Sequence, residues 1–380
     1  MTKIAFLYEE LNPSVRLCGY EQLKFLAEQN KVSVTFIKFK ELTRAHCKEN
    51  DIFFFIRNTS AFSCRIAHFL HYYKKLIIYI LDDDLLEIPE NLASSNYYRQ
   101  GHIKKRIYSM LKICDIFLSP SIELLQKYES ITNRTIRIEE PALFYNVKTS
   151  DKKNPTTIHI GFAGSIDRTS DVNIILTDVI IALKKKYEKK ISFDIMGIEP
   201  NSMLSSYCSY HPYQEDYISY QNYMQRLDLT IGLAPMPKTE FHSCKHYNKY
   251  IEYGALGIIG IYSNVVPYTK VIHNYRNGIL CDNTFDSWFS SISYLIEHPE
   301  LYIHLQKNIS RDMKKNYELS VVSYQLLDSI PELTTYLSSK NMIYPFKLIK
   351  FISFLEQVKD TILFHKWKIF SRIFEKFILR

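Results

Sequence analysis

No CxxC pair occurs among the seven cysteines (Cys18, Cys47, Cys64, Cys114, Cys208, Cys244 and Cys281), and their odd number and scattered spacing argue against a closed disulfide framework. A reducing, cytosolic compartment is the expectation. No apolar run approaches the roughly 20 residues that cross a bilayer, and the apolar segment of "MTKIAFLYEE" is too short for a secretory signal, so the protein is not expected to be integral to a membrane. Internal repeats are absent too. The body of the chain lacks the spread of basic residues and exposed aromatics that a nucleic-acid groove needs, so no nucleic-acid partner is expected. The formal charge is +8. Most of that excess is local, because residues 345–380 carry eight Lys/Arg against Glu356, Asp360 and Glu375.

What is present is an ordinary globular composition, 46% hydrophobic and 23% charged, in a chain of 380 residues that exceeds the usual limit of a single core. Short β-rich runs ("KIAFLY", "VSVTFIKF", "DIFFFIR", "LIIYIL", "DIFLSPS") alternate with helical patterns, which indicates a parallel sheet covered by helices. The polar stretch at 146–157 reads as a linker, after which the alternation restarts with "IHIGFAG", "ISFDIMG", "LDLTIGLAP" and "GIIGIY". The predicted organisation is therefore an α/β domain over 1–145, a linker over 146–157, a second α/β domain over 158–330 and a basic amphipathic helical tail over 331–380. In open α/β sheets ligands bind beyond the carboxyl ends of the strands. If the two domains face each other, both sets of strand ends border one cleft.

Three features could place chemistry there. "KTEFHSCKHYNKYIEYGALG", 238–257, predicts a helix over about 244–256, on which Lys245, Lys249 and Glu252 fall at i, i+4 and i+7 and share one stripe. Two ammonium groups near a helix N-terminus suit a diphosphate, and a carboxylate beyond them suits a ribose; the alternative is an ordinary surface pair between Lys249 and Glu252. "HIGFAGSIDR" ends a strand in Gly164 and Ser165 with Arg168 close behind, a combination able to bring backbone N–H groups and a guanidinium to phosphate oxygens. Asp82, Asp83 and Asp84 close an apolar run, and three roles stand open for them: a hard-cation site, contact with sugar hydroxyls, or capping of the next turn.

Taken together, "IGFAGSIDR", "DLTIGLAPMPKTEFHSCKHYNKYIEYGALGIIG", "VVPYTKVIHNYRNGILCDNTFDSW" and "LDDDLLEIP" resemble family 4 glycosyltransferases with the GT-B fold, in particular the branch found with bacterial surface polysaccharides. The resemblance covers nearly all of residues 1–320 and is strongest over 228–290. It implies two Rossmann-like domains facing across a cleft, a nucleoside-diphosphate sugar donor held mainly by the second, transfer with retention to a glycan acceptor, and neither metal nor cofactor. By position Glu252 matches the second glutamate of the family's E-x7-E motif, which contacts the ribose. The first glutamate is replaced by Cys244, and Ser165 stands after Gly164 where arginine is usual. Arg168, Lys245 and Lys249 are the expected substitutes for the family's phosphate-binding pair. The front-face mechanism the resemblance implies needs no protein base, because the leaving phosphate oxygen takes the acceptor's proton.

The same likeness favours Asp82 or Asp83 as a sugar contact, with Asp84 capping the following turn. Tyr268 is a donor contact or a packing residue, and Arg16 an acceptor or phosphate contact or an exposed helix residue. His242, Cys244 and His246 alternate as zinc ligands could, but without a convincing fourth ligand nearby they are expected to line or adjoin the nucleotide pocket. The tail repeats apolar residues at Leu348, Ile352, Leu355, Ile362, Ile369, Ile373 and Phe377. It reads either as a helix packed back on the first domain or as one lying on anionic lipid, which a lipid-linked acceptor would favour. Two other functions fit the same fold: a nucleotide-sugar 2-epimerase, and a non-catalytic subunit that binds glycan or nucleotide.

Overall fold

Runs such as Ile52–Ile56 and Leu76–Ile80 are five residues long, apolar throughout and rich in β-branched and aromatic side chains, which suits strands buried on both faces. A computed structural model describes residues 2–143, 157–338 and 346–378, with side chains as far as Ile362 in the last of these. Both runs are central strands in it. The first sheet comprises β1 (Lys3–Tyr8), β2 (Ser33–Lys38), β3 (Ile52–Ile56), β4 (Leu76–Ile80), β5 (Ile116–Ser119) and β6 (Thr135–Arg137) in the order β2-β1-β3-β4-β5-β6. The second comprises β7 (Ile158–Ala163), β8 (Ile191–Met196), β9 (Ser209–His211), β10 (Ile231–Ala234), β11 (Ile259–Ser263) and β12 (Ile279–Cys281) in the order β12-β11-β10-β7-β8-β9. Every pairing within each sheet is parallel.

Strand order reverses between β1 and β3 in the first sheet and between β7 and β10 in the second, and these switch points are where an open parallel sheet leaves a crevice at its carboxyl edge. The helix that follows β1 is broken rather than continuous. Gly19 sits at φ 117°, where a Cβ would meet the Phe6 ring at 3.1 Å, and the regular helix begins only at Glu21.

The second domain ends earlier than its sequence pattern suggests. The chain leaves the first domain beside the point where it returns: Ala142 bridges Glu318, and its N–H donates to the Tyr317 carbonyl at 2.7 Å. The helix Leu319–Ser329 then packs on the helix Glu21–Glu28, and Leu326, Ile330 and Leu333 enter the first domain's core. Residues 319–333 thus belong with the first domain, where the sequence reading had closed the second domain at 330 and begun the tail at 331. The expected linker, apart from Thr157, lies outside the described residues.

The last helix, Phe346–Ile378, packs on the helix Ala61–Tyr72. Phe346 and Ile349 join the first domain's core, Glu356 pairs with Arg65 and with Arg106 (2.6 Å), and Asp360 also pairs with Arg106. The side chains of Ile369, Ile373 and Phe377 lie outside the described residues.

Candidate functional site

The carboxyl edges of the two sheets face one another across a cavity of about 300 Å³, lined from one side by Ser14, Asp82, Asp83 and Glu140 and from the other by Gly164, Ser165, Arg168, Tyr220, Lys245, Lys249, Glu252 and Tyr268. That volume is at the lower end of the range for small-molecule sites.

Gly164 follows β7 directly, its N–H donating to the Met196 carbonyl at 3.1 Å. A Cβ there would stand 2.7 Å from the Phe162 ring, and one on Gly197 (φ +80°) would stand 2.0 Å from the Gly164 carbonyl oxygen. The two glycines therefore let the ends of β7 and β8 close up beside the cavity. Arg168 follows, its Nη2 donating to the Pro235 carbonyl at 2.7 Å and its Nε 3.3 Å from Asp171. Because Pro235 lies just past β10, this guanidinium spans the second sheet's switch point. Burial raises the Asp171 pKa, although Arg168 and Lys245 oppose it.

The predicted helix over 244–256 is interrupted. One turn covers Glu240–Ser243, and the regular helix starts at Asn248 and runs to Ala255. Phe241 and Cys244 are drawn into the first domain's core, which pulls the intervening backbone out of helical register. Lys249 and Glu252 do share a face, 2.7 Å apart, and Tyr220 is hydrogen-bonded to both, donating to Glu252 and lying 3.2 Å from the lysine nitrogen. Burial, then the Glu252 charge, pushes the Tyr220 hydroxyl well above its ordinary pKa, so it remains a donor. Lys245 is not on that stripe. It precedes the helix and reaches across the gap to Asp83 at 2.7 Å, so all three residues line the cavity but as a pair and a separate bridge.

The three aspartates go different ways. Asp82 pairs with Arg57 at 3.0 Å, and Arg57 also donates to Ser14 at 3.1 Å. Asp83 faces the cavity; burial would raise its pKa, but Lys245 and Arg57 outweigh burial and hold it below the ordinary carboxylate value. Asp84 is not a cap. Its carboxylate is fully buried in the first domain, where Tyr128 donates to it at 2.5 Å and Lys127 lies 2.8 Å away.

Arg16, expected beside the cleft, turns to Glu21 at 2.7 Å, while its neighbours Ser14 and Leu17 line the cavity instead. Tyr268 lines the cavity but is 1% exposed, packed 4.9 Å from the Tyr262 ring, with burial pushing its hydroxyl up to about 12. His242, Cys244 and His246 diverge. Burial, then Arg168 and Lys245, drives the His242 pKa down to about 3, and burial pushes the Cys244 thiol up to about 11. His246 is buried at the domain junction, 3.0 Å from Glu139 and 3.7 Å from Glu140. Burial opposes its charging, but the two glutamates prevail and raise its pKa to about 10. Among the described residues no group of three or more His, Cys, Asp or Glu side chains is arranged to hold a metal ion.

Sequence reasoning missed Arg57, Tyr220 and the His246–Glu139–Glu140 cluster. A signal existed for two of them: Arg57 follows the apolar run "IFFFI", and Glu139 and Glu140 follow "TIRI", so both place charge directly after a strand, at the edge where ligands bind.

Two facing domains with six-stranded parallel sheets and flanking helices, their strand ends bordering one cleft, constitute the GT-B fold. The chain is similar in structure to Alr3699/HepE of Anabaena in complex with UDP and glucose (TM-score 0.59, 10% identity, 87% of this chain and 100% of that one). It is similar to a glycosyltransferase from Rickettsia africae (TM-score 0.62, 12% identity, 87% and 98%). Sucrose-phosphate synthase from Thermosynechococcus elongatus aligns over 88% of this chain and all of its own, with a TM-score of 0.62 and 12% identity. No family model and no curated protein matches the sequence.

Proposed function

We propose that the protein is a retaining, metal-independent glycosyltransferase that moves a hexose from a nucleoside-diphosphate sugar to a hydroxyl of a bacterial cell-surface glycan. It would act in the cytoplasm. The observation that carries this reading is the convergence of Arg168, Lys245 and Lys249 on one cavity beside Gly164, at the switch point of the second sheet. Three cations there can offset charge developing on a departing diphosphate, an electrostatic role in which loss of one donor commonly costs about 10²–10³ in rate. Glu252, already oriented by Lys249 and Tyr220, keeps lone pairs for the ribose hydroxyls. Asp83 reaches the cavity from the opposite sheet as an ionised acceptor for hydroxyls of the transferred sugar. Asp82 stands behind it, held by Arg57. Solved structures of the same fold with UDP and with UDP-glucose bound add support.

In this reading Lys245 exchanges partners. It pairs with Asp83 and turns to the diphosphate on donor binding, leaving Asp83 free to accept from the sugar. Thermal-shift measurements with UDP, GDP, dTDP and CMP test the donor site. One nucleotide raises the melting temperature, and the Glu252→Ala variant loses that rise. No shift with any of the four would overturn the reading.

The non-catalytic alternative draws on one observation. Cys244, where the resembled family has its first glutamate, is buried in the first domain's core instead of facing the cavity. That alternative predicts nucleotide binding without turnover on any acceptor.

A further inference from the structure

Over residues 346–362 the last helix presents two opposite faces, and among the described residues only one of them is used by the fold. At about 100° per residue, Phe346, Ile349, Ser353, Glu356 and Asp360 fall within about 80° of one another; Ser353 is buried and the other four contact the first domain. Phe351, Leu355, Val358 and Ile362 lie within about 40° of the direction opposite, and Leu348 within about 60°. All five are exposed, Phe351 at 59% and Leu348 at 56%, with Phe354 (60%) and Ile352 beside them. A monomer rarely leaves a continuous apolar ridge of this length in water.

Charge distinguishes the occupants that could cover it. Both carboxylates of residues 346–362, Glu356 and Asp360, are spent on Arg65 and Arg106 of the first domain. The exposed surface of residues 346–362 is left with Lys347 and Lys359, with Lys350 at the side of the helix about 100° from the outward direction, and no carboxylate. Lys347 and Lys359 flank the apolar ridge on its two sides. The ridge has the 3-4 spacing of a helix-pairing seam, but a second copy would bring these lysines together with no acid to meet them. An anionic lipid surface takes both components at once: side chains such as Phe351 and Leu355 enter the acyl boundary while lysines reach phosphate. The remainder of the segment carries Lys366, Lys368, Arg372, Lys376 and Arg380 against Glu375. Among the described residues no helix is long and apolar enough to cross a bilayer, so the contact is one of lying on the surface.

We propose that residues 346–362 form a preformed docking face for membranes rich in anionic phospholipid. The fold holds the helix on its first-domain side, so binding does not have to fold it. The inference does not depend on the identity of donor or acceptor.

The test is flotation of the full chain with vesicles of phosphatidylcholine alone and of phosphatidylcholine mixed with phosphatidylglycerol. Partitioning to the mixed vesicles is expected, and the combined Lys347→Gln, Lys350→Gln and Lys359→Gln variant should lower it on the order of 100-fold. The Phe351→Ser, Leu355→Ser pair should abolish it, with the melting transition of both variants retained. Equal binding to both vesicle types, equal binding by the lysine variant, or no binding to either overturns the proposal. So does sedimentation of the wild-type chain as a dimer that the serine pair dissociates.

Discussion

The imidazolium buried between Glu139 and Glu140 makes stability at the domain junction depend on alkaline pH in a calculable way. His246 has its pKa raised to about 10 in the folded protein, against an ordinary value of 6.5 that the unfolded chain recovers. A raised basic group contributes its full stabilisation below the unfolded value and loses it as pH climbs through the folded one. Between those limits the native state holds one proton more than the unfolded state, and stability falls by about 1.4 kcal/mol per pH unit. Integrated from about pH 7 to about pH 9, that is about 2.5 kcal/mol from this one group. The buried cysteines and tyrosines also lower stability in this range, so the wild-type curve alone does not isolate the effect. His246→Gln removes the titration while leaving those groups in place. Urea unfolding of both proteins across the series should therefore show the variant less stable at neutral pH, with the gap narrowing by about 2.5 kcal/mol on the way to pH 9. Parallel curves would refute the assignment of a charged His246 at the junction.

Other perturbations read other links in the argument. Arg168→Ala and Lys249→Ala, each with an unchanged melting temperature, are expected to lower kcat about 10²–10³-fold in a glycosyl-transfer assay, and a change under threefold would remove them from the leaving-group site. Asp84→Ala deprives Tyr128 and Lys127 of their shared partner and should cost about 2–3 kcal/mol in urea unfolding without affecting nucleotide binding. Gly232→Ala puts a methyl 2.6 Å from the Tyr253 ring in the middle of the second sheet, an overpacking expected to cost about 1–3 kcal/mol.

The strands were legible because each is a short apolar run bounded by polar turns, and the restart of the pattern at Ile158 located the second sheet. The residues lining the cavity could be named for the same reason, since Gly164, Arg168 and Asp83 follow strands directly. What the chain's local pattern could not disclose depended on distant partners. The stretch 244–256 has helical spacing throughout, yet Phe241 and Cys244 find a better burial site in the other domain, and tertiary packing overrides local preference there. Lys245 consequently meets Asp83, 162 residues away in sequence. Arg16 has the right position to face the cavity, but Glu21, five residues on, claims it. The role of His246 could not be read locally because its acidic partners come from 107 and 106 positions earlier, from the far side of the junction. Of the two readings of the tail, packing on the first domain is seen for one face of its helix, and contact with lipid is the proposal made for the other.

The adjacency of Ala142 and Glu318 has a topological meaning. The second α/β domain is an insertion whose host chain leaves and returns at neighbouring points. The insert is also tied back into its host, since Phe241 and Cys244 reach into the first domain's core, and any change in the width of the gap has to carry those two side chains with it.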